Sequence, residues 1–245
     1  PQSKRIIKEN NQFMKVLEDS NISANNIYKK NIEGIESFPN KVLGPNTSRI
    51  FHEDPKLLLF TLSRYKFVAK QFEGYKNILE IGCQEGFGAP IVSRNFDMYT
   101  GLDFYEPHIS FAHNNFKEFS DKFRFFHHDI LLKPLLEPIF DCAFALDVLE
   151  HIEKDKEELF FNNIKKYLLQ SEGPLILGMP SIESQKYASK RSKLGYVNCK
   201  SKNEFRESCK NHFKYVFMFS MNDEVLHTGY DPMSQYLFAI CAGHK

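Results

Sequence analysis

The run Asn77-Ile78-Leu79-Glu80-Ile81-Gly82-Cys83-Gln84-Glu85-Gly86-Phe87-Gly88 constrains this chain more than any other segment. A short apolar stretch passes straight into a glycine-bearing turn and then into a helical pattern. Glycine lets the backbone turn sharply and approach a ligand with no Cβ in the way, and the helix start that follows presents free N–H groups. The segment therefore predicts a strand–turn–helix unit built around a ligand. A nicotinamide-binding G-x-G-x-x-G turn needs a second glycine where this chain has Gln84, against which a pyrophosphate would have to lie. That argues against an oxidoreductase.

The alternation continues downstream. Strand-like runs MYTGLD, FRFFHHD, FDCAFALDV and PLILGMP are separated by helical patterns through PIVSRNF, HISFAHNNF and residues 155–170. In the last of these, Asp155 and Glu158 are spaced as a capping box, and Phe160, Ile164 and Leu168 form one apolar stripe. Such alternation implies right-handed βαβ units and a parallel sheet covered on both faces, with ligands beyond the carboxyl ends of its strands. After a helix through NEFRESCKNHF, the strands YVFMFSM and YLFAICA follow one another, which requires an antiparallel pair. The expected fold is α/β: a doubly wound, mostly parallel, seven-stranded sheet with an antiparallel last strand. Residues 1–75 differ in character. They are rich in Asn, Lys and Ser to about Asn40, then helical, with Asp54 as N-cap and Pro55 at the first helical position. They read as a helical extension or lid on a domain of residues 76–245.

Composition removes several function classes. Thirty-two Lys and Arg against 31 Asp and Glu give a net charge of +1, with no basic excess for a phosphate backbone, so nucleic acid is not an expected partner. Apolar runs such as LLLFTL are far too short to span a membrane, and the start of the sequence, PQSKRIIKEN, does not read as a signal peptide. Cys83, Cys142, Cys199, Cys209 and Cys241 are scattered and never form C-x-x-C, which fits neither a disulfide framework nor a zinc site and suits a reducing cytoplasm. No metal site is expected.

Polar residues recur where strands should end. Asp103 closes MYTGLD, where a carboxylate can accept from both hydroxyls of a ribose, and Phe104 follows, able to lie against a flat base. His128-Asp129-Ile130 closes the next strand, and Asp147-Val148-Leu149-Glu150-His151 the one after. Together, EIGCQEGFG, GLD, HHD and FALDVLEHI resemble, in order and interval, the motifs of class I S-adenosylmethionine (AdoMet)-dependent methyltransferases, over roughly residues 76–181.

That resemblance implies the Rossmann-like methyltransferase fold and AdoMet as cofactor, leaving S-adenosylhomocysteine. It implies a pocket that includes Glu80, with Gly82, Cys83, Gln84 and Gly86 at the methionine moiety and Asp103 and Phe104 at the ribose and adenine edge. Asp129 and Ile130 then lie at the adenine, and Asp147 and Val148 beside the sulfonium. The segments LGYVNCK, FMFSMNDEVLHTGY and PMSQYLFAI are also similar to a bacterial branch found among glycan and surface-polymer modifying enzymes. That branch has Gly at the position of Gln84 and His at those of Tyr196 and Gln235.

Methyl transfer needs a nucleophile held in line with the methyl group and a base for its proton. His151, just past the strand that ends at Asp147, is the first candidate for that base; His227 is the second, and Tyr196 completes the acceptor side. Arg64, or Arg49, could pair with a cofactor carboxylate or an anionic acceptor. Asn222, Asp223 and Glu224 read as an acidic turn in preference to a metal site. The expected partner is a small-molecule or glycan-precursor acceptor of the capsule-polysaccharide type, such as a sugar hydroxyl or phosphoramidate. Gln84, Tyr196 and Gln235 keep a second reading open, a fold relative without chemistry that serves as a binding or partner protein.

Overall fold

The computed structural model of the chain describes residues 24–35, 42–133, 140–168 and 172–245. The chain divides into two units, Pro1–Val42 and Leu43–Lys245. In the first, α1 spans Ala24–Ile32. The second begins with α2 (Pro45–Glu53) and α3 (Lys56–Gln71), so the division falls ahead of these two helices. Helix α3 starts one residue later than expected. Asp54 is already the C-cap of α2, its N–H bonding to Ile50 O, and Pro55 stands at the N-cap of α3 instead.

The sheet has eight strands among the described residues: β1 (Asn77–Ile81), β2 (Met98–Asp103), β3 (Phe123–His127), β4 (Cys142–Leu146), β5 (Leu175–Pro180), β6 (Phe213–Asn222), β7 (Val225–His227) and β8 (Tyr236–His244). Their order is β3-β2-β1-β4-β5-β8-β6-β7. The first five run parallel, and β8 lies antiparallel to both β5 and β6. The strand beyond the expected seven is β7, three residues inside the polar loop, which pairs back on β6 with Asn222 opposite Val225.

Connecting helices are α4 (Ala89–Val92), α5 (Glu106–Asn115), α6 (Glu157–Tyr167), α7 (Lys190–Gly195) and α8 (Lys202–His212). The capping box expected at Asp155 does not form, because residues 154–156 make a 3₁₀ turn ahead of α6; the end of that helical pattern, residues 169–170, lies outside the described residues. A capping box does form on α8, between Ser201 and Glu204.

Strand residues sort by parity. Leu79, Ile81, Ala143, Ala145, Leu175 and Leu177 join α6 and α8 in one buried cluster, through Phe160, Phe161, Ile164 and Phe205. Ile78, Cys142, Phe144 and Ile176 join α3, α4 and α5 in the other, through Val68, Val92 and Ile109. With both faces covered, the central strands read as unbroken apolar runs. The chain leaves β1 toward β2 and β3, then returns to the opposite side of β1 with β4. The crevice between β1 and β4 is therefore the switch point at which this architecture takes ligands. Among the described residues, no helix is long and apolar enough to cross a membrane.

Candidate active site

Beyond the carboxyl ends of β1, β2, β3 and β4 lies a cavity of about 550 Å³, within the usual size range of ligand pockets. Each strand delivers its terminal residues to the wall: Gly82 and Gln84 from β1, Asp103 and Phe104 from β2, Asp129 and Ile130 from β3, Asp147, Val148 and His151 from β4. Residues singled out separately in the sequence thus meet because parallel strands end at one edge.

Gly82 has φ of 78°, and a Cβ there would collide with the Cγ2 of Val148, so only glycine fits. Gln84 also sits in the left-handed region, at φ 47°. Its N–H donates to Asp103 Oδ2 at 2.9 Å, and its side-chain Oε1 accepts from Asn46 Nδ2 of α2 at 2.7 Å. The second oxygen of Asp103 accepts from Tyr105 N at 2.9 Å. Two backbone amides thus fix this buried carboxylate, and each oxygen retains a lone pair for a further donor.

Asp147 is left-handed as well, at φ 56°. Its carboxylate binds Nη1 of Arg64, 2.9 Å away, and the Arg64 guanidinium lies 3.8 Å from the centre of the Tyr236 ring. Burial works against the Arg64 charge, but Asp147, Tyr236 and Glu150 together outweigh it and raise the group above its ordinary value. His151 lines the cavity with Nδ1 2.7 Å from the carbonyl oxygen of Gly195, and its ring packs on Tyr196 at 5.3 Å. A carbonyl accepts only, so Nδ1 carries the hydrogen and Nε2 is left with a lone pair.

Three residues from the motif stand off the cavity. Glu80 is buried and accepts from Tyr65 Oη, 2.6 Å away, and from Tyr99 Oη. Burial pushes its carboxyl up to about 8, with the two hydroxyls pulling the other way. Cys83 is buried against Gly101, and Gly86, at φ 75°, leaves room for the Phe125 ring. His227 sits on β7, four strands from β4 and so roughly 19 Å along the sheet. Its Nδ1 accepts from Gly229 N, and its Nε2 lies 3.3 Å from Asn222 Oδ1. Gln235 accepts from Asp223 N, and Asn222 accepts from Gln235 N, so Asn222-Asp223-Glu224 is the turn of the β6–β7 hairpin. Arg49 is taken by Glu53 and Asn46.

His108 and Tyr105, which the sequence reading did not single out, also line the cavity, as does His128, which that reading placed at the end of its strand without a role. Their signal was position alone: His108 is in the first turn after β2, and His128 directly follows β3. Glu85 is a further addition. It is buried, and its Oε1 accepts from Thr47 N at 2.8 Å, capping α2 from 38 positions away where the N-cap, Gly44, has no side chain to do so.

Residues 78–171 match a family described as a methyltransferase domain. The N-methyltransferase NodS from Bradyrhizobium japonicum WM9, in complex with S-adenosyl-L-homocysteine, aligns with a TM-score of 0.56 at 20% identity, covering 82% of this chain and 93% of that one. The plantazolicin methyltransferase BpumL, in complex with the same product, aligns at 0.59 and 19%, covering 82% and 91%. The methyltransferase domain of bacterial CtHen1-C aligns at 0.62 and 14%, covering 77% and 100%. At these identities the likeness is one of fold. No curated protein sequence matches the chain.

Proposed function

We propose that this chain is an AdoMet-dependent methyltransferase that methylates a small-molecule or glycan-precursor acceptor; supporting this are the match of residues 78–171 to a methyltransferase-domain family and a sheet order shared in fold with solved methyltransferases. The observation that carries this reading is the His151–Gly195 hydrogen bond, which leaves Nε2 as a base on the cavity wall. Bound AdoMet supplies an electrophilic methyl group on a sulfonium. The donor set suits it: carboxylates of Asp103 and Asp129 for hydroxyl and amine donors, apolar surface from Leu102, Phe104 and Ile130 for a flat base, and an orphaned His128 Nε2 deep in the wall.

Asp103 would hold the ribose hydroxyls, Phe104 and Ile130 would flank the adenine, and Asp129 would accept from its amine. Asp147 and Val148, behind Gly82, set the depth of the methionine end. Arg64 keeps the Asp147 carboxylate fixed and neutralised. His151 Nε2 would take the proton of the acceptor hydroxyl or amine as the nucleophile bonds to the methyl carbon and the carbon–sulfur bond breaks to release S-adenosylhomocysteine, and Gly195 O would stabilise the imidazolium at Nδ1. Helices α2 and α3 serve as a cover, α2 reaching the turn after β1 through Asn46 and α3 the end of β4 through Arg64. Five free thiols, four of them buried, fit a reducing cytoplasm, and the near-neutral charge favours a small acceptor over nucleic acid.

Calorimetric titration with S-adenosylhomocysteine tests the reading, and absence of binding at millimolar ligand would leave the fold relative without chemistry. His151→Ala should keep that affinity within about twofold while turnover of an acceptor falls roughly 10²- to 10⁴-fold. Equal losses of both would make His151 part of the cofactor pocket instead.

A further inference from the structure

A second cavity, of about 470 Å³, is walled by Gln185, Lys186, Lys193, Tyr196, Val197 and Cys199. Tyr196 links it to the first, since its ring packs on His151, which lines that cavity. The second cavity is therefore one side chain, Tyr196, away from the proposed base.

Residues 184–202 carry Lys186, Lys190, Arg191, Lys193, Lys200 and Lys202 and contain no Asp or Glu. The lysines divide by what they bind. Lys200 pairs with Glu157 at 2.8 Å and Lys202 with Asp231 at 2.8 Å. Lys186 and Lys193, the two on the cavity wall, have no ion pair among the described residues; Lys186 rests 4.8 Å from the centre of the Tyr187 ring. Among the described residues, no carboxylate lines the cavity. Its one thiol, Cys199, is pushed up to about 12 by burial and by Glu150, and so adds no negative charge.

The frame behind these lysines is fixed. Glu157, at the start of α6, accepts from Lys200 Nζ, from Asn198 Nδ2 at 2.9 Å and from Ser208 Oγ. Val197 N and Asn198 N both donate to Glu150 O, tying the stretch to the residue beside His151. On the other rim, Gln185 Nε2 donates to Ser181 O at 3.0 Å. Two cationic side chains thus stand on an anchored wall with no ion pair to a described residue.

We propose that this cavity is the acceptor site and that the acceptor is a small anion, its phosphate or carboxylate bound by Lys186 and Lys193 while its nucleophile reaches past Tyr196 to His151. The assignment rests on the methyl-transfer reading for the role of the ligand, but not for its charge. The size of the cavity and the neutral charge of the whole chain favour a small molecule over a polyanion.

The full chain, with and without saturating S-adenosylhomocysteine, is titrated by calorimetry with glucose 1-phosphate, glucuronate and glucose as probes. At least one of the two anions should bind at millimolar concentration and glucose should not; which anion binds identifies the group. The double variant Lys186→Ala/Lys193→Ala should lose about tenfold or more of that affinity and bind S-adenosylhomocysteine as the parent does. Equal binding of glucose, absence of binding by both anions, or an unchanged affinity in the double variant overturns the proposal. So does much tighter binding of a short oligouridylate than of either anion, which would make the surface a nucleic-acid site. Failure of S-adenosylhomocysteine to bind, with the anion result intact, strikes the methyl-transfer reading alone.

Discussion

Arg64 and Asp147 stand 83 positions apart in sequence, and their side chains meet at 2.9 Å at the end of β4. The pair holds a non-glycine residue in the left-handed region, where its N–H donates to Gly178 O on β5. It thus joins helix α3, the switch-point crevice and the neighbouring strand.

Arg64→Ala should leave a largely desolvated carboxylate without its cation. Both side chains are less than a third exposed, so unfolding in urea should show a loss of about 2–4 kcal/mol. A loss below about 0.5 kcal/mol would mean that the pair is screened as a surface pair is.

Asp103→Ala should weaken S-adenosylhomocysteine by about tenfold or more, the usual scale for hydrogen bonds to a charged acceptor. Asp103→Asn keeps one acceptor oxygen for Gln84 N or Tyr105 N and should fall between the two. Titration calorimetry on the three proteins checks the order, and equal affinities would move the ribose elsewhere.

At φ 47°, Gln84 pays a conformational penalty that glycine does not. Gln84→Gly should therefore preserve stability, since relief of that strain offsets the lost bond to Asn46, and it should tighten S-adenosylhomocysteine. Gln84→Val, β-branched at the same φ, should destabilise by about 1–3 kcal/mol. Weaker binding by the glycine variant would show that the Gln84 side chain contacts the ligand.

Glu80 gives the fold a pH dependence of definite sign. Its carboxyl stays protonated in the folded chain up to about 8, whereas in the unfolded chain it ionises near the ordinary glutamate value. Between those two values the folded state binds more protons, so this group's contribution to stability declines as pH rises from about 4.5 to about 8 and is flat beyond. Glu80→Gln, which keeps an acceptor for Tyr65 or Tyr99, should flatten the profile of stability against pH over that window. An unchanged slope would assign it to another group.

Strand ends were legible in the sequence because periodicity fixes where an apolar run stops. Asp103, Asp129 and Asp147 could be placed at one edge from that alone, before any of their contacts was known. Contacts between distant segments were not legible. Tyr65 with Glu80, Thr47 with Glu85 and Arg64 with Asp147 each join residues of the helices before β1 to motif residues, and no local pattern records such a pairing. Strand β7 was missed because three residues are too few to show an alternation. His227 looked like an acceptor-side residue because its loop follows β6 in sequence; strand order, which the sequence does not display, carries it to the far edge.

The place of β8 bears on how the chain assembles. Its residues, 236–244, lie between β5 and β6, so the β6–β7 hairpin has no link to the other strands until β8 is inserted. During vectorial synthesis the five parallel strands can form while β5 remains an open edge, and β6, with Phe217 and Val216 on offer, is paired only with the three residues of β7. The interval between the emergence of residue 222 and that of residue 244 is then the period in which a nascent chain is most exposed to pairing with another copy of itself.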